Sequence, residues 1–276
     1  MHAELDNSRA PAAWLQPLQA IAFFVRKTLN IAEMEMRKLR HEPMDLLTRA
    51  AQPVLWILIF GQVLARTRAI PTGDVGYLEF MSPGILAQSM LFISIFYGIS
   101  IIWERDLGII HKFLAGPAPR ASLVLGKGLS AGVRGISQIF IIYPLAYVLG
   151  VKLDFHILSL LGTVFTVLLG AVLFSTFSLF VAIKVKTRER FMGIGQFMTM
   201  PLFFASNAIY PIEIMPGWLQ AISRFNPLTY VVDALRTLML EGGQSHFGLG
   251  VDFAVLILVS ALLVWAAGRA YPGFVN

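Results

Sequence analysis

Residues 209–236 read IYPIEIMPGWLQAISRFNPLTYVVDALR and lie between two long apolar runs of the chain. The stretch contains three prolines, two acids and two arginines among aromatic and aliphatic residues. Prolines interrupt a continuous helix, so the stretch does not have the pattern of a membrane span. It is also too apolar for an ordinary solvated loop, and its interpretation depends on the topology of the runs around it.

The composition indicates a membrane protein. Of the 276 residues, 57% are hydrophobic and 14% are charged, and the mean hydropathy is +0.70. Soluble domains are typically about 25% charged. The lack of cysteine excludes disulfides, thiolate metal sites and thiol catalysis. The basic residues that give the net charge of +6 are scattered among apolar runs, which argues against a nucleic-acid partner.

Six segments are long and apolar enough to cross a bilayer, which requires about 20 residues per helix. An even number of spans puts both termini on one side of the membrane. That side holds 17 of the 22 Lys and Arg residues, so the positive-inside rule assigns it to the cytoplasm. We therefore predict an all-α integral protein of the cell (inner or plasma) membrane with both termini in the cytoplasm. The predicted spans are about 46–65, 80–103, 129–151, 157–183, 191–211 and 248–268.

The segment before the first span, residues 1–45, is predicted to be a cytoplasmic tail that contains an amphipathic helix. Apolar residues recur between positions 18 and 39, with charged residues between them. Such a helix lies on the inner leaflet with its basic side chains toward lipid phosphates. Alternatively it packs against the cytoplasmic ends of the protein's own spans, and the two arrangements are compatible. The basic candidates are Arg26, Lys27, Arg37, Lys38 and Arg40.

The connection between the second and third spans, WERDLGIIHKFLAGPAPRASLVLGKG (Trp103–Gly128), contains another cytoplasmic element. Charged residues come first, a short apolar run follows, and Gly116-Pro117 ends the pattern. A plain solvated connection rarely contains such an apolar run. The pattern therefore favours a short helix parallel to the membrane that docks on a cytoplasmic partner, with the plain connection as the alternative.

No residue pattern predicts nucleotide or metal binding by this chain. Ala121–Gly128 (ASLVLGKG) lacks the first glycine of a Walker A motif and has Gly128 where Ser or Thr contacts magnesium. The five histidines are dispersed and have no metal-binding spacing. The span centres also lack the ionisable residues that proton- or sodium-coupled carriers need. We expect no cofactor in this chain, and without ionisable groups at the span centres the energy for any transport would have to come from elsewhere.

The opening stretch resembles the signature that permease subunits of ABC type-2 exporters carry before their last span. The similarity covers roughly residues 30–272, including LRHEPMDLLTRAAQPVLWILIFG at the first span and ERDLGIIHKFLAGPAPRASLVLGK after the second. Overall the chain is closer to the drug and lipo-oligosaccharide export branch than to the long-polysaccharide branch. The matching signature positions are Pro211, Glu213, Met215, Pro216, Trp218, Leu219, Gln220, Asn226, Pro227, Leu228, Thr229, Tyr230, Asp233 and Arg236.

The resemblance implies an ABC type-2 transmembrane domain over residues 46–272. Such a domain pairs with a second copy of itself or a sister permease, and with two cytoplasmic ATPase subunits that bind ATP and Mg. The chain itself would be a transport subunit without catalytic residues. Segment 104–119 would contain the coupling helix that docks on the ATPase. The residues assigned to coupling are Glu104, Arg105, Asp106, Gly108, His111, Lys112, Phe113, Leu114, Pro117 and Arg120.

By the charge count, segment 212–241 lies outside, between the fifth and sixth spans. Pro216 and Asn226-Pro227 fit helix starts. These signals predict a re-entrant hairpin of two short helices that dip partly into the outer leaflet. The second helix carries an acid and an arginine at i, i+3, which are able to pair. The hairpin is either a structural lid or an exit gate. Its candidate residues are Pro211, Glu213, Pro216, Trp218, Asn226, Pro227, Tyr230, Asp233 and Arg236.

The transport pathway would be lined by uncharged side chains of the second and fifth spans, although the same positions also suit helix packing. Met and aromatic surfaces adapt to varied apolar cargo. The predicted function is ATP-driven export of a hydrophobic or amphiphilic substrate by alternating access at a permease dimer. The alternatives are export of a lipid-linked oligosaccharide or polysaccharide, a secondary carrier, and a membrane enzyme or assembly scaffold. The pathway candidates are Gln88, Met90, Phe92, Phe96, Tyr97, Gln196, Phe197, Met200 and Phe204.

Overall fold

The computed structural model describes residues 22–30, 33, 37, 48, 51–73, 75–109, 120–185 and 187–270. These residues are mainly helical and contain no β-strand beyond one isolated antiparallel bridge between Leu153 and Leu240. A helix covers residues 22–30, and a π-helical segment covers Trp56–Gly61. The α-helices are α1 Gln62–Thr67, α2 Tyr77–Tyr97, α3 Ile99–Asp106, α4 Arg120–Val148, α5 Ile157–Lys184, α6 Arg188–Phe204, α7 Gly217–Phe225, α8 Pro227–Met239 and α9 Leu249–Ala270.

Four helical runs in the described part of the chain are long and apolar enough to cross a membrane. They are Tyr77–Asp106, Arg120–Val148, Ile157–Lys184 and Leu249–Ala270. These runs correspond to the second, third, fourth and sixth predicted spans. The prediction of an all-helical membrane protein is confirmed at this level.

The first and fifth predicted spans are not among these four runs. The first lies partly outside the described residues, and its described part is helical with the π-helical segment in its middle. The fifth is covered by α6, which has 17 residues and carries Pro201 in its last turn. Turns and bends follow from Ala205 onward, so the helix stops short of the predicted boundary at 211. The six-span count therefore stays a prediction.

Helix α2 lies at the centre of the bundle, packed against α4, α5 and α8. Glycines permit the close approach of α4 to α5. A Cβ atom built on Gly132 would lie 2.6 Å from Leu168, and one on Gly135 would lie 3.1 Å from Val167. Rows of small residues let membrane helices approach closely enough for backbone and side-chain packing to hold them together. Met90 of α2 fills the space beside Gly135 and Gly170, so this predicted pathway residue is part of the packed core.

The helices bring the loops together at two opposite ends of the bundle. One end, here called the coupling end, contains the end of α3, the start of α4 and the connection from α5 to α6, around a separate buried cluster of apolar side chains. The other, here called the hairpin end, contains α7, α8 and the α4–α5 connection. At the hairpin end Asp154 N–H donates to the Met239 carbonyl at 2.9 Å, and Tyr77 Oη donates to the Ile209 carbonyl at 3.2 Å.

The two short helices that the signature implied are α7 and α8. Asn226 caps α8: its side-chain oxygen accepts the Leu228 N–H at 3.0 Å, and Pro227 occupies the first turn. Pro216 immediately precedes α7. The helix starts are therefore as predicted, while the depth of the pair in a leaflet stays a prediction.

Candidate functional site at the two ends of the bundle

At the coupling end a buried ion pair joins α3 to α4. Lys127 Nζ lies 2.7 Å from Glu104 Oε2 and donates to Glu104 Oε1 at 2.8 Å. Both side chains are less than a tenth exposed. Removing two charges from water is costly, and only close mutual pairing compensates for it. The pair therefore fixes the base of the predicted coupling segment to the start of α4.

A second set of contacts joins the end of α3 to the start of α6. Arg188 Nη2 lies 3.1 Å from Asp106 Oδ2, and its guanidinium stacks 3.7 Å from the Trp103 ring centre. Arg105 donates to the Val185 carbonyl at 3.2 Å. The segment that leads into the predicted coupling helix is thus bound to three parts of the bundle, through side chains at successive positions.

The remaining coupling candidates divide between described and undescribed residues. Arg120 begins α4, and Gly108 has a positive φ of 70°, a left-handed conformation that glycine adopts without steric cost. His111, Lys112, Phe113, Leu114 and Pro117 lie outside the described residues.

In the predicted amphipathic helix, Arg26 and Lys27 lie in the described helix 22–30. Arg37 pairs with Glu33 at 2.7 Å on an exposed surface. Lys38 and Arg40 lie outside the described residues. The orientation of this helix relative to a membrane stays a prediction.

At the hairpin end Asp233 is buried and bonded to the segment that follows α8. Its Oδ1 accepts the His246 N–H at 3.0 Å, and its Oδ2 accepts the Phe247 N–H at 3.0 Å and the Ser245 hydroxyl at 2.8 Å. Ser245 Oγ also lies 2.9 Å from Asp252 Oδ2 at the start of α9. Asp233 therefore holds α8 and the entrance of α9 together.

Arg236 fixes α8 to two other chain segments. Its Nη2 donates to the Asn207 carbonyl at 2.7 Å and to the Phe80 carbonyl at 3.3 Å, and its guanidinium lies 3.9 Å from the Phe80 ring centre. Asp233 and Arg236, at the i, i+3 spacing that permits pairing, take other partners. Burial lowers the pKa of Arg236 to about 10, against the opposing effect of Asp233 and Glu213, so Arg236 stays charged at neutral pH.

The other hairpin candidates have varied surroundings. Glu213 Oε1 lies 3.1 Å from His246 Nδ1 on the surface, and Tyr230 Oη donates to the Arg224 carbonyl at 2.7 Å. Trp218 is exposed, and Pro211 and Pro216 flank the 3₁₀ turn Ile212–Ile214. The Glu213–His246 contact joins the turn before α7 to the segment before α9.

The pathway candidates do not form one site in the single chain. Gln88, Phe92 and Phe96 line a cavity of about 170 Å³ together with Gln52 and Pro53 of the first predicted span. Tyr97 is buried beside Arg134, whose guanidinium lies 5.1 Å from the tyrosine ring centre.

The α6 candidates lie at the periphery. Gln196, Phe197 and Phe204 are exposed and Met200 is partly exposed. Phe204 and Pro201 border a larger cavity of about 720 Å³ between the end of α6 and α7. A third cavity, of about 630 Å³, has polar walls that include Thr72, Arg236 and His246.

Several of these residues were not predicted as site residues from the sequence. Lys127 could have been, since a lysine among apolar helix positions requires a partner. Ser245, His246 and Gln52 gave no such signal, because their roles depend on which loop segments and helices meet. In the described part of the chain no cluster of three or more His, Cys, Asp or Glu side chains could hold a metal.

Comparisons with known proteins agree with this architecture. Residues 28–240 match the family described as ABC-2 type transporter. Putative transport permease ycf38 of Cyanophora paradoxa is 29% identical over 248 residues, which cover 86% of this chain and 85% of the relative. Daunorubicin resistance ABC transporter permease protein DrrB1 of Streptomyces coeruleorubidus is 28% identical over 251 residues, 90% of this chain and 85% of the relative.

A third relative spans nearly the full length. Probable doxorubicin resistance ABC transporter permease protein DrrC of Mycobacterium tuberculosis is 24% identical over 269 residues, 96% of this chain and 90% of the relative. Members of the matched family are the permease components of ABC transporters and lack their own ATPase. The match covers most of the chain, which therefore belongs to the ABC-2 type transporter family as an integral membrane permease.

Proposed function

We propose that the chain is the permease subunit of an ATP-driven exporter that moves a hydrophobic or amphiphilic substrate out of the cytoplasm or inner leaflet. Two permeases, either two copies or this chain and a sister permease, enclose the pathway between them. Two partner ATPase subunits bind ATP and Mg and dock on segment 104–119. Both termini lie in the cytoplasm, and access alternates between the two sides.

The observation that carries this proposal is the fixed base of the coupling segment. Glu104, Arg105 and Asp106 bind α4, the end of α5 and α6 in turn. A displacement of the coupling helix by a partner would therefore be passed to three helices together. One of them, α6, also carries the exposed pathway candidates, so a movement at the coupling end reaches the surface where a second permease would meet the cargo.

The substrate class follows from the pathway candidates, all of which are uncharged. Exposed Phe197 and Phe204 on α6, and the cavity beside Gln88, offer aromatic and amide contacts. Two of the relatives are named for resistance to daunorubicin and doxorubicin. An aromatic amphiphilic drug is therefore the first substrate to test.

The test is export of daunorubicin into inside-out vesicles that contain the full chain and a partner ABC ATPase that co-purifies with it. We expect ATP-dependent uptake that is lost when Leu114→Asp places a charge in the short apolar run of the predicted coupling segment. Coupling is measured as the stimulation of the ATPase's ATP hydrolysis by the permease, which Leu114→Asp should also abolish. The matched control, Ile214→Asp, makes the same kind of change at an exposed apolar residue of the hairpin end and should leave this stimulation intact. Uptake without ATP or without the ATPase would indicate a secondary carrier, and unchanged coupling in Leu114→Asp would refute the docking assignment.

Export of a lipid-linked oligosaccharide is a second candidate, favoured by the polar cavity at the hairpin end. Its walls include Thr72, Gln244 and His246 beside the Arg236 guanidinium, which suit hydroxyl-rich groups. ATP-dependent flipping of a fluorescent lipid-linked oligosaccharide, with no uptake of daunorubicin, would select this candidate over the first.

A further inference from the structure

The cavity between the end of α6 and α7 has a wall that is almost entirely apolar. Its volume of about 720 Å³ lies within the range of about 300–1,000 Å³ that small-molecule sites occupy. Its lining is aliphatic or aromatic, and three of its side chains carry a polar group: Tyr210, Asn226 and Trp218, whose ring has one N–H.

The polar groups of Tyr210 and Asn226 are satisfied within the protein. The Asn226 amide donates to the Leu202 carbonyl at 2.7 Å, and its oxygen accepts the Leu228 N–H at 3.0 Å. The Tyr210 hydroxyl donates to the Phe204 carbonyl. Pro201 and Pro227 have no N–H to offer. Apart from the indole N–H of the exposed Trp218, the side chains of the wall offer no free hydrogen-bonding group, so most polar groups of a ligand would be left unpaired there, which is costly.

The cavity continues the exposed face of α6. Phe197, Pro201 and Phe204 are spaced i, i+4, i+7 and share one side of the helix. Phe197 is 77% exposed, and the other two line the cavity. The pathway candidates Phe197 and Phe204, with Pro201 between them, thus form a stripe on α6 that runs into the cavity at the hairpin end.

We propose that this cavity receives the uncharged, apolar part of the exporter's cargo at the hairpin end of the pathway. The proposal rests on the proposed function and adds a substrate requirement. A transported molecule carries an aromatic or aliphatic portion without hydrogen-bonding groups, which enters between α6 and α7, and its polar portion stays outside the cavity. Continuity with the α6 stripe favours cargo over a bilayer lipid or a second copy of the chain.

The chain has no cysteine, so a single introduced thiol gives a clean reporter. Ala221→Cys places it on the cavity wall, and Arg224→Cys places the control on the exposed surface of the same helix away from the cavity. The full-length permease, without ATPase, is reacted with N-ethylmaleimide in detergent and in lipid nanodiscs. Nile red, an uncharged lipophilic dye, is the probe ligand.

The expected result is saturable protection of Cys at position 221 in both media. At a dye concentration of four times the Kd, the reaction slows about fivefold, because the free fraction of the site is 1/(1 + [L]/Kd). The control at position 224 keeps its rate. Equal slowing at both positions, or at neither, overturns the proposal.

Two further outcomes would assign the cavity to a different occupant. A thiol at position 221 that reacts in detergent but is already protected in nanodiscs, with no further effect of the dye, assigns the cavity to a lipid chain and overturns the proposal. Loss of reactivity that depends on protein concentration assigns the cavity to a second copy of the chain and likewise overturns the proposal. The binding arm needs no ATP: protection without ATP-driven export would refute the proposed function alone, and export without protection would refute this site alone.

Discussion

The two ends of the bundle hold their charged side chains in different ways. At the coupling end, charged side chains on different helices pair with each other, as Glu104 does with Lys127 and Asp106 with Arg188. At the hairpin end, Asp233 accepts two backbone N–H groups and Arg236 donates to two backbone carbonyls. A pair of side chains links two helices and can turn with them as they shift, whereas contacts to backbone hold one loop geometry. We therefore expect the helices of the coupling end to move together when a partner displaces them, and the hairpin end to keep its shape.

The largest expected effect is that of Glu104→Ala. It leaves the Lys127 ammonium buried without its carboxylate, and breaking a buried pair in this way costs about 3–5 kcal/mol. We expect a correspondingly lower free energy of unfolding of the permease in detergent. An unchanged value would show that the pair is hydrated and would remove the contrast between the two ends.

A double variant separates stability from transmission. Glu104→Leu with Lys127→Met replaces the pair by apolar side chains of similar size, a change that is often neutral or stabilising. If the pair also passes movement to α4, the double variant folds but loses ATP-dependent export. Full export by the double variant would leave the pair with a structural role only.

At the hairpin end, Asp233→Asn tests the backbone contacts. An amide has only one oxygen, so its NH₂ group would face an N–H or O–H group whose hydrogen bond the carboxylate accepts. Hydrogen bonds to charged groups are worth about 1.5–3 kcal/mol each. We expect destabilisation within that range and faster proteolysis between residues 240 and 249. If the variant is cleaved in this segment no faster than the wild type, the role assigned to Asp233 is wrong.

Asp154 provides the matched control for Asp233. It accepts the Ser159 hydroxyl at 2.6 Å and the His156 N–H at 2.8 Å, and these bonds lower its pKa. Its stabilisation is therefore present at neutral pH and is lost as the pH falls through the lowered pKa. Because Asp154 is accessible to water, Asp154→Asn should change the unfolding free energy much less than Asp233→Asn.

Local signals in the sequence predicted the helices better than the contacts between them. Asn226 and Pro227 carry a helix start in two adjacent residues, and α8 begins there. The four long apolar runs could be predicted from their length and composition. Glu104 and Lys127 lie 23 positions apart in the sequence, and Asp233 meets Ser245 only because the chain turns back after α8. Such pairings depend on tertiary packing, which one sequence does not encode in any local spacing.

The same limit applies to the candidate pathway. Uncharged residues at helical spacing suit both a pathway and a packed core, and the structure separates them by position. Met90 fills the space beside Gly170, while Phe197 is exposed on α6. Periodicity alone does not distinguish them, because both faces of a helix inside an apolar bundle carry similar side chains.

Gly84→Ala probes the hairpin half of α2, where the neighbour is backbone. A Cβ at Gly84 would lie 2.2 Å from the Ala208 carbonyl oxygen and 2.7 Å from its carbonyl carbon. Backbone in this tightly bonded segment has little room to move, and overpacking costs about 1–3 kcal/mol. We expect thermal unfolding at a lower temperature, and no substitution of the Ala208 side chain should restore it. As a control, Gly193→Ala adds a methyl group where nothing lies within 4 Å and should be neutral or slightly stabilising.

Gly98→Ala makes the matching change at the junction of α2 and α3 toward the coupling end, with a smaller expected loss than Gly84→Ala. There the nearest atoms belong to side chains: a Cβ would lie 2.1 Å from Ser178 Oγ and 2.9 Å from the Phe191 ring. Side chains can turn away, so we expect a cost of about 1 kcal/mol, at the low end for overpacking. Ser178→Ala should recover part of that cost in the double variant, because contacting sites couple while distant ones add. Equal losses for Gly84→Ala and Gly98→Ala, with no rescue by Ser178→Ala, would mean that the coupling end is as rigid as the hairpin end.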